Sequence, residues 1–459
     1  MKIKNVDGIK MSGAKFLTDK TKSLYKGDGP RSLVSTSLHS ASNNLQVCWE
    51  IDEWVRWRNE ASEIKRYVLS NLDILLGQFI ERLESKGVKV ICAKDAEEAN
   101  KEILAIINRH NAKLAVKGKS MVSEEIELNQ FLGERGITSY ETDLGEFIVQ
   151  LAGTRPSHIV TPALHLSAAE IGKLFEDKLG ESNSAGHEEL TQIARRQLRS
   201  KFIESEIGFS GVNFGIAETG TLCICENEGN IGLSTSSPKV HIAMMGIEKL
   251  LPRLDDLPLF LNMLARMGTG QKLTTYTHLV NGTAAGTELY LVLVDNGRTR
   301  ALGDVEFREI LKCLRCGLCM NNCPVFRQVG GWAYGWIYPG PLGIVLTPEL
   351  LGIETAWELP FACSLCGACG SICPAKIDLH HLILRQRRRA IEKKTHGRKL
   401  TEILMWKFFS FGASNKYIFR VMMFCVRMGI RLAPFIPLKF GKLKAWTDKR
   451  NLPKPKKFP

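Results

Sequence analysis

A chain of 459 residues, 44% hydrophobic and 24% charged, is too long for one compact core and too apolar to be disordered, so two or three globular domains are expected. The net charge of +14 is concentrated: residues 381–459 carry 21 Lys and Arg against 3 Asp and Glu, leaving 41 basic and 45 acidic groups in the rest. That distribution argues against a basic nucleic-acid-binding fold.

The opening stretch "MKIKNVDGIKMSGAKF" has no apolar core followed by a cleavage site, so a cytoplasmic setting is expected. There, thirteen cysteines point to metal rather than to a disulfide framework. Residues 1–59 read as an N-terminal lead without a clear period. Residues 69–87 have helical apolar spacing and stop at Gly87. A strand over 88–93, a helix over 96–110 and a strand over 112–118 follow. The next helix is placed at 123–136, with Ser123 as N-cap and Glu124 and Glu125 in its first turn, and a strand at 137–142. This alternation predicts a parallel sheet covered by helices.

After the polar stretch 179–190, residues 213–230 read as two short strands around a turn. Residues 239–251 read as a strand passing into a helix, and 289–297 as a last buried strand. Together these elements fill an α/β domain over 60–300. Within it, Lys117, Lys119 and Ser120 sit at a strand-to-helix junction, where an anion pocket or a solvated basic turn is expected. Glu218 lies on a Gly/Thr turn, able to act as nucleophile or base, though a carboxylate capping nearby N–H groups is the plainer reading. His158 and His165 could hold a ligand or be satisfied structural residues. Cys223 and Cys225 share one face of a strand and suit packing, while Cys48, Cys92 and Cys425 stand alone. Neither a GxGxxG fingerprint nor a nucleophile elbow is present.

The strongest signal is a repeated C-x-x-C-x-x-C-x-x-x-C-P: Cys313, Cys316, Cys319 and Cys323 before Pro324, then Cys363, Cys366, Cys369 and Cys373 before Pro374. Zinc seldom takes three cysteines from one tight loop, whereas a [4Fe–4S] cluster accepts three thiolates from a curling loop and a fourth from the other motif. Structural zinc or a disulfide pair is the weaker alternative. Two [4Fe–4S] clusters are therefore expected. Cys313, Cys316, Cys319 and Cys373 are assigned to one; Cys363, Cys366, Cys369 and Cys323 to the other. Gly317 and Gly367 follow the second cysteine of each run, where the missing Cβ admits backbone N–H groups. Crossed ligation makes the clusters neighbours, as electron transfer requires. The long aromatic connection 327–362 resembles the α-helical ferredoxin domains of fumarate and succinate oxidoreductase iron–sulfur subunits more than a compact bacterial ferredoxin.

Residues 380–409 leave the second run as a basic helix. In 415–438, Lys416, Arg420, Arg427 and Arg431 fall on one helical face amid apolar residues. The arginines interrupt any transmembrane span, so this helix is expected to dock on protein or to lie on an anionic membrane surface.

With the cysteine runs, "AETGTLCICENEGN" (217–230) and "DLGEFIVQLAGTRPSHIVTPALH" (143–165) in view, the chain resembles the lactate utilisation protein B family of iron–sulfur proteins with a lactate-utilisation (LUD) domain. The likeness covers about 60–459, including "WTDKRNLPKPKKF" from Trp446, and the eight cysteines match the family's ligands. It implies a ribose-phosphate isomerase/CoA-transferase-like parallel sheet over 60–300, an α-helical two-cluster ferredoxin-type domain over 301–385 and a basic helical region over 386–459. It also implies a redox subunit in the cytoplasm, oxidising L-lactate to pyruvate with two partners, a second iron–sulfur subunit and a LUD-domain subunit; the basic tail adds the option of a peripheral place at the inner face of the membrane. No catalytic residue is carried over. The alternatives are an electron-transfer subunit of a glycolate- or glycerol-phosphate-type oxidoreductase, or a CoA-transferase-like enzyme using Glu218 with accessory clusters.

Overall fold

The computed structural model describes residues 53–181, 186–393 and 400–432, arranged in two compact units divided after Thr395. The first unit opens with helices α1 (Trp54–Ser70) and α2 (Leu72–Glu84), which lead into β1 (Lys89–Ala93) and α3 (Ala96–Arg109). Asp95 starts α3 by accepting the Glu98 N–H, an N-cap of the ordinary kind. Then come β2 (Leu114–Lys117), α4 (Met121–Glu125), α5 (Leu128–Gly133) and β3 (Thr138–Glu141). Helices α6 (Leu144–Ala152), α7 (Ala168–Leu179) and α8 (His187–Glu204) precede β4 (Ile207–Gly211).

A hairpin of β5 (Phe214–Ile216) and β6 (Thr221–Glu226) follows, then α9 (Asn230–Ser236), β7 (Val240–Gly246) and β8 (Leu250–Leu251). Next are α10 (Leu257–Thr269), β9 (Tyr276–Val280), β10 (Glu288–Val294) and α11 (Arg298–Gly303). Six strands make one parallel sheet in the order β1-β10-β7-β4-β2-β3. Its central strand β7 is buried along its whole length, as a sheet covered on both faces requires. A second sheet, β8-β5-β6-β9, is built around the hairpin. The expected parallel α/β architecture is thus present.

Two local expectations are corrected. The helix placed at 123–136 with Ser123 as cap is two helices, because Glu127 adopts a left-handed conformation (φ 54°) between them. The cap is Ser120, whose hydroxyl accepts the Ser123 N–H, while the Ser123 hydroxyl donates to the Ser120 carbonyl. After β7 the chain does not enter a helix: a 3-10 turn (Ile247–Lys249) leads into β8, and Pro252 keeps Leu251 extended. The sequence reading also assigned no element to α6, α7, α8, β4 or β9.

Sheet order reverses between β2 and β4. The chain leaves β2 toward β3 on one side and leaves β4 toward β7 on the other. Crevices of ligand-binding size form at such points, beyond the carboxyl ends of the strands.

The cysteine-rich part continues through α12 (Leu318–Asn321), α13 (Pro324–Val329), α14 (Gly340–Leu351), α15 (Ile353–Ala356), α16 (Ala368–Ile372) and α17 (Leu379–Glu392). Its core gathers Phe307, Tyr334, Tyr338, Ile344 and Ile383 around six of the repeat cysteines. The other unit holds α18 (Leu400–Ser414) and α19 (Lys416–Leu432), linked through Asn415, whose side-chain oxygen accepts the N–H groups of Tyr417 and Ile418. Lys416 and Arg420 are exposed, as are Trp406, Phe408, Phe411, Phe419 and Phe424. No helix among the described residues is long and apolar enough to cross a membrane. Cys48 and the part of the 415–438 segment beyond residue 432 lie outside the described residues.

In β4, a Cβ on Gly208 would stand 1.6 Å from the Ser234 carbonyl oxygen of α9. Gly208→Ala must push a helix off the sheet and is expected to cost about 3 kcal/mol, lowering the melting temperature. Gly303→Ala, where a Cβ meets nothing within 4 Å, serves as the control and should melt as the parent does.

Candidate metal centre

The two cysteine runs adopt the same backbone path. Arg315 and Leu365, each one residue before the second cysteine, are left-handed at φ 63° and 57°. Gly317 and Gly367, each one residue after it, have φ 83° and 81°. Two left-handed residues in four curl the loop so that its N–H groups turn inward. The Arg315 N–H reaches Cys313 Sγ at 3.4 Å, and the Leu365 N–H reaches Cys363 Sγ at 3.3 Å. Each loop then enters a short helix, α12 or α16, and these two helices pack on each other. Pro324 occupies the first turn of α13, where its missing N–H costs nothing, and Cys323 Sγ caps that helix by accepting the Phe326 N–H at 3.4 Å.

The fourth cysteine of each run lies near the other run. Burial pushes the Cys373 thiol up to about 11, with a further push from Cys313. Cys316 is raised by burial, with Cys313 and then Cys373 adding to it. Burial also raises Cys323, against the N–H groups of Phe326 and Val325, while Cys363 and Cys366 add to the rise. Cys369 is pushed up to about 12 by burial together with Cys363, Cys323 and Cys366. Cys319 is raised well above its ordinary value by burial and feels cysteines of both groups, Cys313, Cys316, Cys369 and Cys373. Cys373 thus acts on Cys316 and feels Cys313, while Cys323 acts on Cys369 and feels Cys363 and Cys366.

These groups fit an iron–sulfur core better than a single ion. A tetrahedral zinc with bonds of about 2.3 Å holds its sulfurs about 3.8 Å apart. Among the described residues no three of the eight sulfurs lie within 4.8 Å of one another. Thiols held protonated by burial would ionise only beside metal cations, and the inward N–H groups would meet the sulfur charge that results.

Beside the first group lies a cavity of about 380 Å³. Its floor is the reversal point of the parallel sheet: Lys119 and Ser120 after β2, Val212 and Asn213 after β4, and Glu248 and Lys249 after β7. Leu314, Arg315 and Cys316 of the first run form part of the wall. Arg315 is held there by Glu248 Oε1 at 3.2 Å and stacks over Tyr338. Glu248 Oε2 takes the Arg298 Nε at 2.6 Å, and Arg298 grips both oxygens of Glu125 at 2.7 and 2.8 Å. The Tyr338 hydroxyl donates to Glu125 at 2.7 Å. Lys65 donates to the carbonyls of Glu248 and Leu250, and burial pushes it down to about 7. This chain ties the sheet edge to the first cysteine loop. Of its charged residues only Glu125 was named in the sequence, as a first-turn acid; Arg315, an arginine inside a cysteine run, was the available signal.

The other sequence candidates separate. Lys117 is buried and paired with Glu141 and Glu124 at 2.7 and 3.0 Å, so its charge is spent. Lys119 donates to the Val160 carbonyl and Ser120 caps α4, both at the cavity edge. Glu218 is exposed, accepts the Leu254 N–H at 3.0 Å and is not among the residues lining the cavity. His158 is buried: Nδ1 accepts the N–H groups of Val160 and Thr161, while Nε2 meets Asn321 of α12. Burial pushes it down to about 4, so it is a neutral strut between the α/β part and the cysteine loop. His165, also lowered to about 4 by burial, packs on Trp332. Cys223 is fully buried, whereas Cys225 lines the cavity.

Family models match the chain in sequence order: a LUD domain over 76–301, a 4Fe-4S dicluster domain over 309–377 and the C-terminal region of lactate utilisation protein B over 383–458. "Lactate utilization protein B" of Bacillus thuringiensis is 43% identical over 94% of this chain and 92% of its own; that of Bacillus cytotoxicus is 42% identical over 93% and 91%. The chain belongs to the lactate utilisation protein B family. It is a lactate-utilisation iron–sulfur protein with a LUD domain. A crystal structure of a DUF162 family protein from Deinococcus radiodurans aligns with 49% of this chain and 98% of its own, at 12% identity and a TM-score of 0.28, a likeness too slight to carry argument.

The two loop glycines offer a differential test. A Cβ on Gly317 would meet Val160 and His158 at 3.2 and 3.3 Å, whereas on Gly367 it would meet nothing within 4 Å. Both substitutions to alanine carry a left-handed penalty of about 1–2 kcal/mol, and only Gly317→Ala must also displace the His158 strut. Iron retained per chain should fall further in Gly317→Ala; equal losses would show that His158 does not brace the loop.

Proposed function

We propose that this chain is the electron-transfer subunit of a complex that oxidises L-lactate to pyruvate, and that it holds two [4Fe–4S] clusters. Cys313, Cys316, Cys319 and Cys373 would bind one; Cys363, Cys366, Cys369 and Cys323 the other. What supports this reading is that both loops make the same left-handed turns and that the fourth cysteine of each run is coupled to cysteines of the other, so that whatever they bind would be adjacent. When bound, such clusters supply one-electron transfer.

The residues around them do the rest. The inner loop is walled by Arg315, Tyr338 and His158, which keep water from its sulfurs and place positive charge beside them. The outer loop meets solvent, since Cys366 and Ser364 are exposed. One end of the pair thus faces the cavity and the other faces the surface, an arrangement suited to relay between a buried site and an external redox protein. Conversion of lactate to pyruvate releases two electrons and two protons, so a pair of one-electron centres matches the electron count.

Residues 60–300 would be the LUD domain, 301–385 the two-cluster domain and 386–459 the basic region, after a lead of 1–59. The partners would be a second iron–sulfur subunit and another LUD-domain subunit. With exposed aromatic residues and basic side chains side by side, α18 and α19 suit docking on a subunit or on the inner membrane surface in the cytoplasm.

Alanine at any of the eight cysteines should remove about four of eight irons and abolish growth on lactate. The crossed assignment is tested by EPR of the reduced protein. Cys323→Ala should alter the same signal as Cys363→Ala, and Cys373→Ala the same signal as Cys313→Ala. Grouping by run instead would refute the exchange, and full iron content in the variants would refute the ligand set.

A further inference from the structure

The cavity at the sheet reversal is cationic at one end. The Lys249 ammonium lines it and has no hydrogen bond or ion pair among the described residues. Burial and then the neighbouring Arg315 press Lys249 down to about 8, against Glu248 and Cys313, which raise it. Arg315 has a side chain only 7% exposed, and its Nη1 has no hydrogen-bond partner. That Nη1 is itself buried, so Arg315 adds positive field to the wall rather than a donor open to the cavity. Lys65, Lys249, Arg298 and Arg315 outnumber the carboxylates that act on them, Glu125 and Glu248, and the Cys313 sulfur acts on Lys65, Lys249 and Arg315 as well.

The opposite wall is acidic, formed by Asp143, Glu226 and Glu228. A dianion would be repelled from that side, whereas a monoanion can keep its charge at the Lys249 end. Val160, Leu314 and Met244 supply apolar surface between the two poles. Cys316 is in the same wall, so an occupant lies against the inner cysteine loop.

We propose that this cavity is a binding site for a short-chain 2-hydroxy- or 2-oxo-carboxylate, its carboxylate held by Lys249 in the positive field of Arg315. The site as a carboxylate pocket rests on these residues; lactate or pyruvate as the occupant rests on the function proposed above. An iron–sulfur core bound nearby would share this positive field, since the Cys313 sulfur also acts on Lys249.

The test uses the full chain purified without oxygen, with iron counted and binding measured by calorimetry using sodium L-lactate, sodium pyruvate and inorganic phosphate. One or both carboxylates should bind, and phosphate should bind at least about tenfold more weakly. Lys249→Met should weaken carboxylate binding about tenfold or more at unchanged iron content, and Lys249→Arg should restore part of it. Glu228→Gln, on the exposed rim of the opposite wall, should narrow the preference over phosphate, and it keeps the test alive if Lys249→Met misfolds. Equal binding by parent and Lys249→Met overturns the proposal, as does an iron-loaded chain that binds neither carboxylate or binds phosphate best. A shift in reduction potential on Lys249→Met with binding unchanged also overturns it, assigning Lys249 to the metal centre. A chain that binds carboxylate but holds no iron would instead sink the electron-transfer reading and leave the pocket standing.

Discussion

Sulfur ligands must be ionised to hold metal, yet here they are packed into an apolar core that disfavours ionisation. Cys316, Cys323, Cys369 and Cys373 are buried and shifted upward; Phe326, Tyr334 and Ile377 share the core of the last three, and Leu314, Leu318 and Ile372 that of Cys316. Such a core is stable only if cations and inward N–H groups meet the charge once it forms. The left-handed residues at 315, 317, 365 and 367 deliver those N–H groups. The short helices, the prolines and the packing of α12 on α16 all follow from having to present two such loops face to face. Folding of this part and loading of its metal are therefore expected to be one coupled process.

The same constraint explains why the α/β part and the cysteine loops are joined by charge as well as by apolar packing. Glu248 sits after the central strand with its carboxylate shared between Arg298 and Arg315. Burial would raise it, but Arg298, Arg315 and Lys249 outweigh that and hold it down at about 2. Removing one member of so enclosed a set would strand the others at a cost of about 3–5 kcal/mol. Such a network is poor at adding stability over an apolar core but good at fixing one geometry, and the geometry it fixes is Arg315 beside Cys313 and above the cavity.

Much of this was legible from spacing. The cysteine repeat and its proline and glycine positions were readable because each residue type answers a local geometric need. The parallel sheet was readable from alternating strand and helix periods. What escaped depended on long-range contact. β4, "IGFSG", has too few large side chains to look like a central strand, and it is one because Gly208 lets α9 lie directly upon it. The Ser123 cap was misplaced because Ser120 and Ser123 are equally good capping residues; what decides is Lys117, which fills the space next to Ser123 and bonds its hydroxyl at 3.0 Å. Lys249 and Glu248 look like an ordinary exposed charged turn in sequence, and only the approach of residues 314–316 buries them.

The inner and outer loops show how one repeated motif comes to have two environments. Their backbones match, but the third residue is Arg315 in one and Leu365 in the other, and the flanking surfaces differ accordingly. Behind Gly317 stand His158 and Val160, carried on the segment between α6 and α7; behind Gly367 there is open space. A neutral His158, locked by two backbone N–H groups and by Asn321, adds no charge and admits no proton at neutral pH, so it screens the inner sulfurs without competing for electrons. A metal centre beside Arg315 feels a nearby fixed cation that favours the extra electron, and burial that resists it; one beside Leu365 has Arg387 on the Cys363 carbonyl but an exposed Cys366, so the two differ chiefly in contact with water. The motif sets what can be bound, and the neighbouring α/β part sets how differently two copies of it behave.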